Sequence, residues 1–169
     1  MAKWAFGTTA WTPTATADNS TLANSTYMAL IGGSGSQRIE VIEIFIAGVG
    51  TASNPTYLML CRDSTIATTP TALSAPAYCG PMDPATAALS APPVGMTAAG
   101  TGPKRSIATT DARLNLGLNA FGGIVRWIAA PREEWIIYGN TAQLGESSLS
   151  AYTGGTPGAI DSHIVFEPL

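Results

Sequence analysis

The chain has 169 residues, 46% hydrophobic and only 11% charged, with a formal net charge of -3. That length suits one domain with a single core, and the charged fraction is less than half the roughly 25% usual in a soluble domain. Eight Lys and Arg spread along the chain, only Lys104 and Arg105 adjacent, give no basic face for a phosphate backbone, so nucleic acid is not an expected partner.

No cationic start followed by an unbroken apolar stretch appears in Met1 to Trp11, so export is not expected. Residues 1–25 read as an N-terminal arm in which Trp4, Phe6 and Trp11 are spaced through Gly, Thr, Ala and Pro without a helical or strand period. Such aromatics must be covered. Either they pack on the chain's own core or they dock on a neighbour, and Trp4, Phe6 and Trp11 are taken here as candidate partner contacts. On that reading, removing residues 1–12 weakens attachment and spares the fold.

Residues 26–169 read as one domain. Tyr27 to Ile31 is a short apolar run ending in Gly32-Gly33-Ser34-Gly35-Ser36. That cluster lacks the Lys-Ser/Thr of a P-loop and the third glycine of a dinucleotide fingerprint, and a strand follows it, so it predicts a turn and not a phosphate cradle. Gln37 to Ala47 is the clearest strand, with Ile42, Ile44 and Ile46 assigned to one face and Ile39, Val41 and Phe45 to the other. A strand apolar on both faces is central and doubly covered, by a second sheet or by a subunit. The apolar run Val41 to Val49 contains Glu43 and is too short to cross a bilayer, so no membrane is expected. After Asn54-Pro55, Thr56 to Arg62 is the next strand.

From Asp63 to Lys104 seven prolines forbid any long regular element. The reading is a long Pro/Ala-rich loop excursion that leaves the sheet, with one or two helical turns after Asp83-Pro84-Ala85, where Asp caps and Pro takes the first helical position. Strands then resume. Leu114, Leu116 and Leu118 alternate with Asn115, Gly117 and Asn119; Ile124 to Ala129, Trp135 to Tyr138, Gly145 to Tyr152 and His163 to Glu167 follow. Eight short strands without an amphipathic helix predict an all-β fold, an antiparallel β-sandwich of jelly-roll type.

Catalytic constellations are not evident. His163 is the one histidine, and Ser162 beside it on a strand points to the opposite face, so the two cannot act as nucleophile and base. Metal chemistry of the cupin kind needs several imidazoles. Glu133-Glu134 lie in a turn, and a glycosidase pair from Glu40 and Glu146 would need a defined separation within a sugar cleft. Trp127 and Trp135 suit a core or an interface at least as well as a sugar platform. The chain is read as a non-enzyme with no cofactor and no metal. Cys61, in an apolar strand, and Cys79, in the Pro-rich stretch, are both expected to be reduced.

Three strings carry a resemblance: Phe121-Gly122-Gly123-Ile124-Val125-Arg126-Trp127; Gly145-Glu146 running on to Tyr152-Thr153-Gly154-Gly155-Thr156-Pro157-Gly158; and the closing Ser162-His163-Ile164-Val165-Phe166-Glu167-Pro168-Leu169. With Asp83-Pro84-Ala85 and the aromatic arm, they resemble small virion proteins of tailed bacteriophages. The resemblance implies a jelly-roll head decoration, or cement, protein on the capsid surface, bound as a homotrimer to the major capsid protein. It transfers no catalytic residue. A neck or tail component, or a carbohydrate-binding module of the virion, is the alternative.

Overall fold

Short β-branched and aromatic runs broken by Gly, Pro and Asn favour strands joined by tight turns, and in the computed structural model the described residues form twelve of them. The structure describes residues 2–11, 26–62, 71–72, 79–98, 114–140, 146–151 and 158–169. The strands are β1 (Trp4–Trp11), β2 (Thr26–Ile31), β3 (Arg38–Val49), β4 (Pro55–Arg62), β5 (Thr71–Ala72), β6 (Cys79–Pro81), β7 (Val94–Ala98), β8 (Leu114–Asn119), β9 (Phe121–Ile128), β10 (Trp135–Tyr138), β11 (Glu146–Ala151) and β12 (Ile160–Pro168). All eight strands expected from periodicity are present, and there is no helix among the described residues.

Two antiparallel sheets result. The first runs β10-β3-β12-β1-β6, with β9 pairing β3 beside β10, and the second runs β5-β7-β2-β11-β4-β8. One apolar core lies between them: Trp4, Phe6, Ile39, Val41, Ile44, Ile46, Ile164 and Phe166 from the first sheet meet Leu30, Leu58, Leu60 and Leu118 from the second.

The expected N-terminal arm is corrected over its described part. Trp4–Trp11 is a strand inside the first sheet, paired with β12 from Trp4↔Phe166 to Trp11↔Ile160 and with β6 from Trp4↔Pro81 to Phe6↔Cys79. Residues 12–25 lie outside the described residues. Period was invisible in β1 because its inward positions hold Trp4 and Phe6 while its outward ones hold Ala5 and Gly7, which no hydropathy alternation marks.

The Pro-rich excursion is likewise corrected in its described parts, since three short strands tie it back. β6 extends the first sheet beside β1, and β7 extends the second beside β2 with β5 beyond it. Prolines forbid long elements, not short edge strands. Gly95 of β7 faces Phe6 across the core so closely that an added Cβ would lie 2.7 Å from the ring. The helical turns expected after Asp83 are not formed. Asp83 Oδ1 accepts from the Ala85 N–H at 2.9 Å and the Asp83 carbonyl accepts from the Thr86 N–H at 3.0 Å, which closes one turn that does not propagate.

The face assignment in β3 is also corrected. Ile39, Val41, Ile44 and Ile46 are all buried, whereas Ile42 and Phe45 are only half-buried. Val165 pairs with Glu43 but Phe166 pairs with Val41, so Ile42 is an extra residue, a β-bulge that shifts the alternation by one. Strict period-two counting fails at such a point. The turn at residues 32–36 forms as expected; Gly33 lets the chain pass within 2.3 Å, measured from an added Cβ, of the Ala91 carbonyl, and Gln37 bridges Gly33 N–H and Ala91 O through its side-chain amide.

Candidate interaction surface

Trp4 and Phe6, taken from sequence as partner contacts, sit in the core at 5% and 2% exposure. They converge on Phe166, its ring centroid 6.4 Å from each, with Phe6 edge-on at 69°. Trp11 pairs its backbone with Ile160. Its side chain lies outside the described residues.

The exposed apolar area lies instead where β9 meets β3. Ile128 pairs with Glu43, Arg126 with Phe45 and Ile124 with Ala47, and these side chains share the outer face of the first sheet. Ile124 and Ile128 are exposed at 66% and 54%, and Phe121 and Val49, paired at one end of the same ladder, are exposed as well. Asn119 builds that end. Its Oδ1 accepts from the Asn54 and Phe121 N–H groups at 3.1 and 2.9 Å, and its Nδ2 donates to Ser53 Oγ at 2.8 Å, fixing the β8–β9 turn against the β3–β4 connection.

Within this face Arg126 clasps Glu43 with two hydrogen bonds, Nε to Oε1 at 2.7 Å and Nη2 to Oε2 at 3.1 Å. The Arg126 hydrogen bonds hold the Glu43 carboxyl below its ordinary value, outweighing a smaller opposing push from desolvation, and Arg126 is raised in turn. Because the folded-state value lies below the unfolded one, the pair stabilises the fold above about pH 4.5 and loses that contribution as pH falls through the lowered value. The urea midpoint of the wild type should therefore exceed that of Glu43→Gln by a small margin at pH 7, and the two curves should converge as the pH is taken down into the acid range. A gap that widened on acidification would contradict the assignment.

β9 and β10 run along the same edge of β3, Ile128 opposite Glu43 and Trp135 opposite Val41, so residues 129–134 loop out beside the bulge at Ile42. Glu133 N–H donates to the Ala130 carbonyl at 2.9 Å, with Pro131 second and Arg132 third at φ 73°, the pattern of a type II turn. The left-handed position favours glycine, and an L side chain there costs about 1 kcal/mol. Arg132→Gly should leave stability unchanged or raise it by up to about 1 kcal/mol, offset by the entropy glycine adds to the unfolded chain. Arg132→Val should lower it, as thermal melts of the pair would show.

Among the described residues, those weighed for chemistry do not converge. Ser162 is buried while His163 is exposed, on opposite faces of β12. Glu134 accepts from the Arg132 N–H, and Glu40 is 3.0 Å from Arg38. The Glu146 side chain lies outside the described residues. Trp135 is buried, and Trp127 is half-buried and packs against the core. Among the described residues no three His, Cys, Asp or Glu side chains gather as metal ligands. Cys79 is free and buried; its thiol donates to the Pro93 carbonyl at 3.7 Å, and burial pushes it up to about 11. The Cys61 side chain lies outside the described residues.

Periodicity missed Ile124, Arg126 and Ile128 as surface residues. The available signal was that Ile124-Val125 and Trp127-Ile128 place apolar side chains on both faces of a strand whose only charge is Arg126. No family model matches the chain, and no curated protein is significantly similar to it.

Proposed function

We propose that the chain is a structural virion protein, a head decoration or cement protein of a tailed bacteriophage that sits on the capsid surface, binds the major capsid protein across capsomer junctions and assembles as a homotrimer. The resemblance in its sequence supplies the virion setting and the trimer. The strand order is the observation that carries the fold part of the reading. Setting aside the short β5, β6 and β7, and counting β10 with β9 as one interrupted line along β3, eight strands remain. Taken in chain order they lie 1-8-3-6 in one sheet and 2-7-4-5 in the other, an arrangement that supports a jelly roll.

The surface suits such a role. Few charges, an exposed apolar strand and no converging catalytic groups among the described residues fit a subunit that works by contact. Many copies on one shell allow weak contacts to sum. The test is to add the purified protein to heads that lack it and measure the temperature at which they rupture. Saturable binding with a raised rupture temperature supports cement. Binding to a glycan array without binding to heads favours the carbohydrate-binding alternative, for which Tyr138 is an exposed aromatic.

A further inference from the structure

We propose that the free edge of β9 is a self-association site, pairing antiparallel with β9 of a second copy of this chain about a two-fold axis at Arg126. This goes beyond the capsid reading and stands without it. In the β3–β9 ladder the Ala129 N–H donates to the Ile42 carbonyl at 2.8 Å, which fixes the parity: odd-numbered residues of β9 bond to β3, and the N–H and C=O groups of Ile124, Arg126 and Ile128 point away from it. No strand among the described residues pairs with that side. An open edge with exposed apolar neighbours is a template for another strand, and the sequence of β9 selects its own copy.

With the axis at Arg126, Ile124 stands opposite Ile128 of the second copy and Ile128 opposite its Ile124, two apolar cross-strand pairs on the outer face. On the inner face Val125 stands opposite the second copy's Trp127, and Trp127 opposite its Val125. Both residues are only half-buried in the single chain. Beyond Ile124 the ladder is broken on β9 by a bulge at Gly122-Gly123, where Gly122 has φ 75°, so the paired stretch runs from Ile124 to Ile128. The one charged pair, Arg126 against Arg126, would oppose association if bare. Each guanidinium is already held on its own sheet by two hydrogen bonds to Glu43, so the face is locally neutral. Ile124 and Ile128 are exposed at 66% and 54%, and the pairing sets them side by side across the two copies.

Other occupants fit less well. An unrelated extended segment would satisfy the backbone but would not be required to match Ile124 with Ile128 and Val125 with Trp127 in one register. A two-fold contact is compatible with the proposed trimer as a link from one trimer to the next.

Sedimentation equilibrium of the full chain at micromolar concentration tests the pairing, against the double variant Ile124→Lys/Ile128→Lys. Both side chains are exposed, so the variant should keep the wild-type urea midpoint and strand signature. The expected result is a twofold fall in mass, whether from dimer to monomer or from paired trimers to single ones. Arg126→Cys should in addition cross-link to a second copy under mild oxidation, whereas Val49→Cys, on β3 away from the edge, should not. A wild type that is already monomeric, an unchanged mass in the lysine variant, or no cross-link through Arg126→Cys overturns the pairing. A stable lone trimer in both proteins would overturn it and leave the capsid reading standing.

Discussion

Deletion of residues 1–12 should abolish cooperative folding. β1 lies between β12 and β6, so its loss strips ladder hydrogen bonds from both neighbours and leaves β6 with no partner in its sheet. Its inward side chains, Trp4 and Phe6, pack on Phe166 at the centre of the core. Truncating a buried Phe or Trp to Ala costs about 3–5 kcal/mol each, and a domain of this kind holds only about 5–15 kcal/mol in total. Two such losses plus a missing interior strand exceed or consume that margin. Urea titration followed by circular dichroism would read it: no cooperative transition in the truncated chain, and Phe6→Ala alone lowering stability by about 3–5 kcal/mol. A truncated protein with the wild-type midpoint would restore the arm read from the sequence.

An alanine scan along β3 should give the other large effects, with a break in phase. Ile39, Ile44 and Ile46 are fully buried, and each change to Ala should cost about 2–5 kcal/mol. Val41 to Ala, from a smaller side chain, should cost less but remain clearly destabilising. Ile42 and Phe45, half-buried on the outer side, should cost well under their buried neighbours. The informative comparison is Ile42 with Ile44, identical residues two positions apart on what simple alternation calls one face. Equal costs at the two would remove the bulge; a difference of about 2 kcal/mol or more would place it.

That bulge shows how far the sequence could be read. Leu114, Leu116 and Leu118 alternate with Asn and Gly, and the structure turns the leucines toward the core, Leu118 buried and the other two half-buried, with the Asn and Gly positions exposed. β3 is apolar on both sides, so its hydropathy sets no phase, and the extra residue at Ile42 appears only when β12 is laid beside it. β1 was hidden for a related reason. Its Ala and Gly positions are small because Gly7 lies against the β12 backbone, where an added Cβ would sit 2.5 Å from the Ser162 carbonyl oxygen, and small residues look like linker. Prolines in the excursion signalled interruption correctly but carried no information about the two- to five-residue strands between them.

The candidate surface was legible only in part. The sequence put unsatisfied apolar area on the most conspicuous aromatics, Trp4 and Phe6, which the core absorbs. Edge strands reveal themselves through what pairs with them, a non-local property, and β9 becomes an edge only because β3 has β12 on its other side. Glu43 and Arg126 are 83 residues apart in sequence, so their clasp had no local signature.

The virion assignment is tested most directly by stoichiometry: quantitative mass spectrometry of purified phage particles, with the major capsid protein as the internal standard. A decoration protein should be present on the order of hundreds of copies per particle, in a fixed ratio to the capsid lattice, because its contacts act by repetition. About a dozen copies would place it in the neck or tail instead, and its absence from purified particles would contradict the virion role altogether.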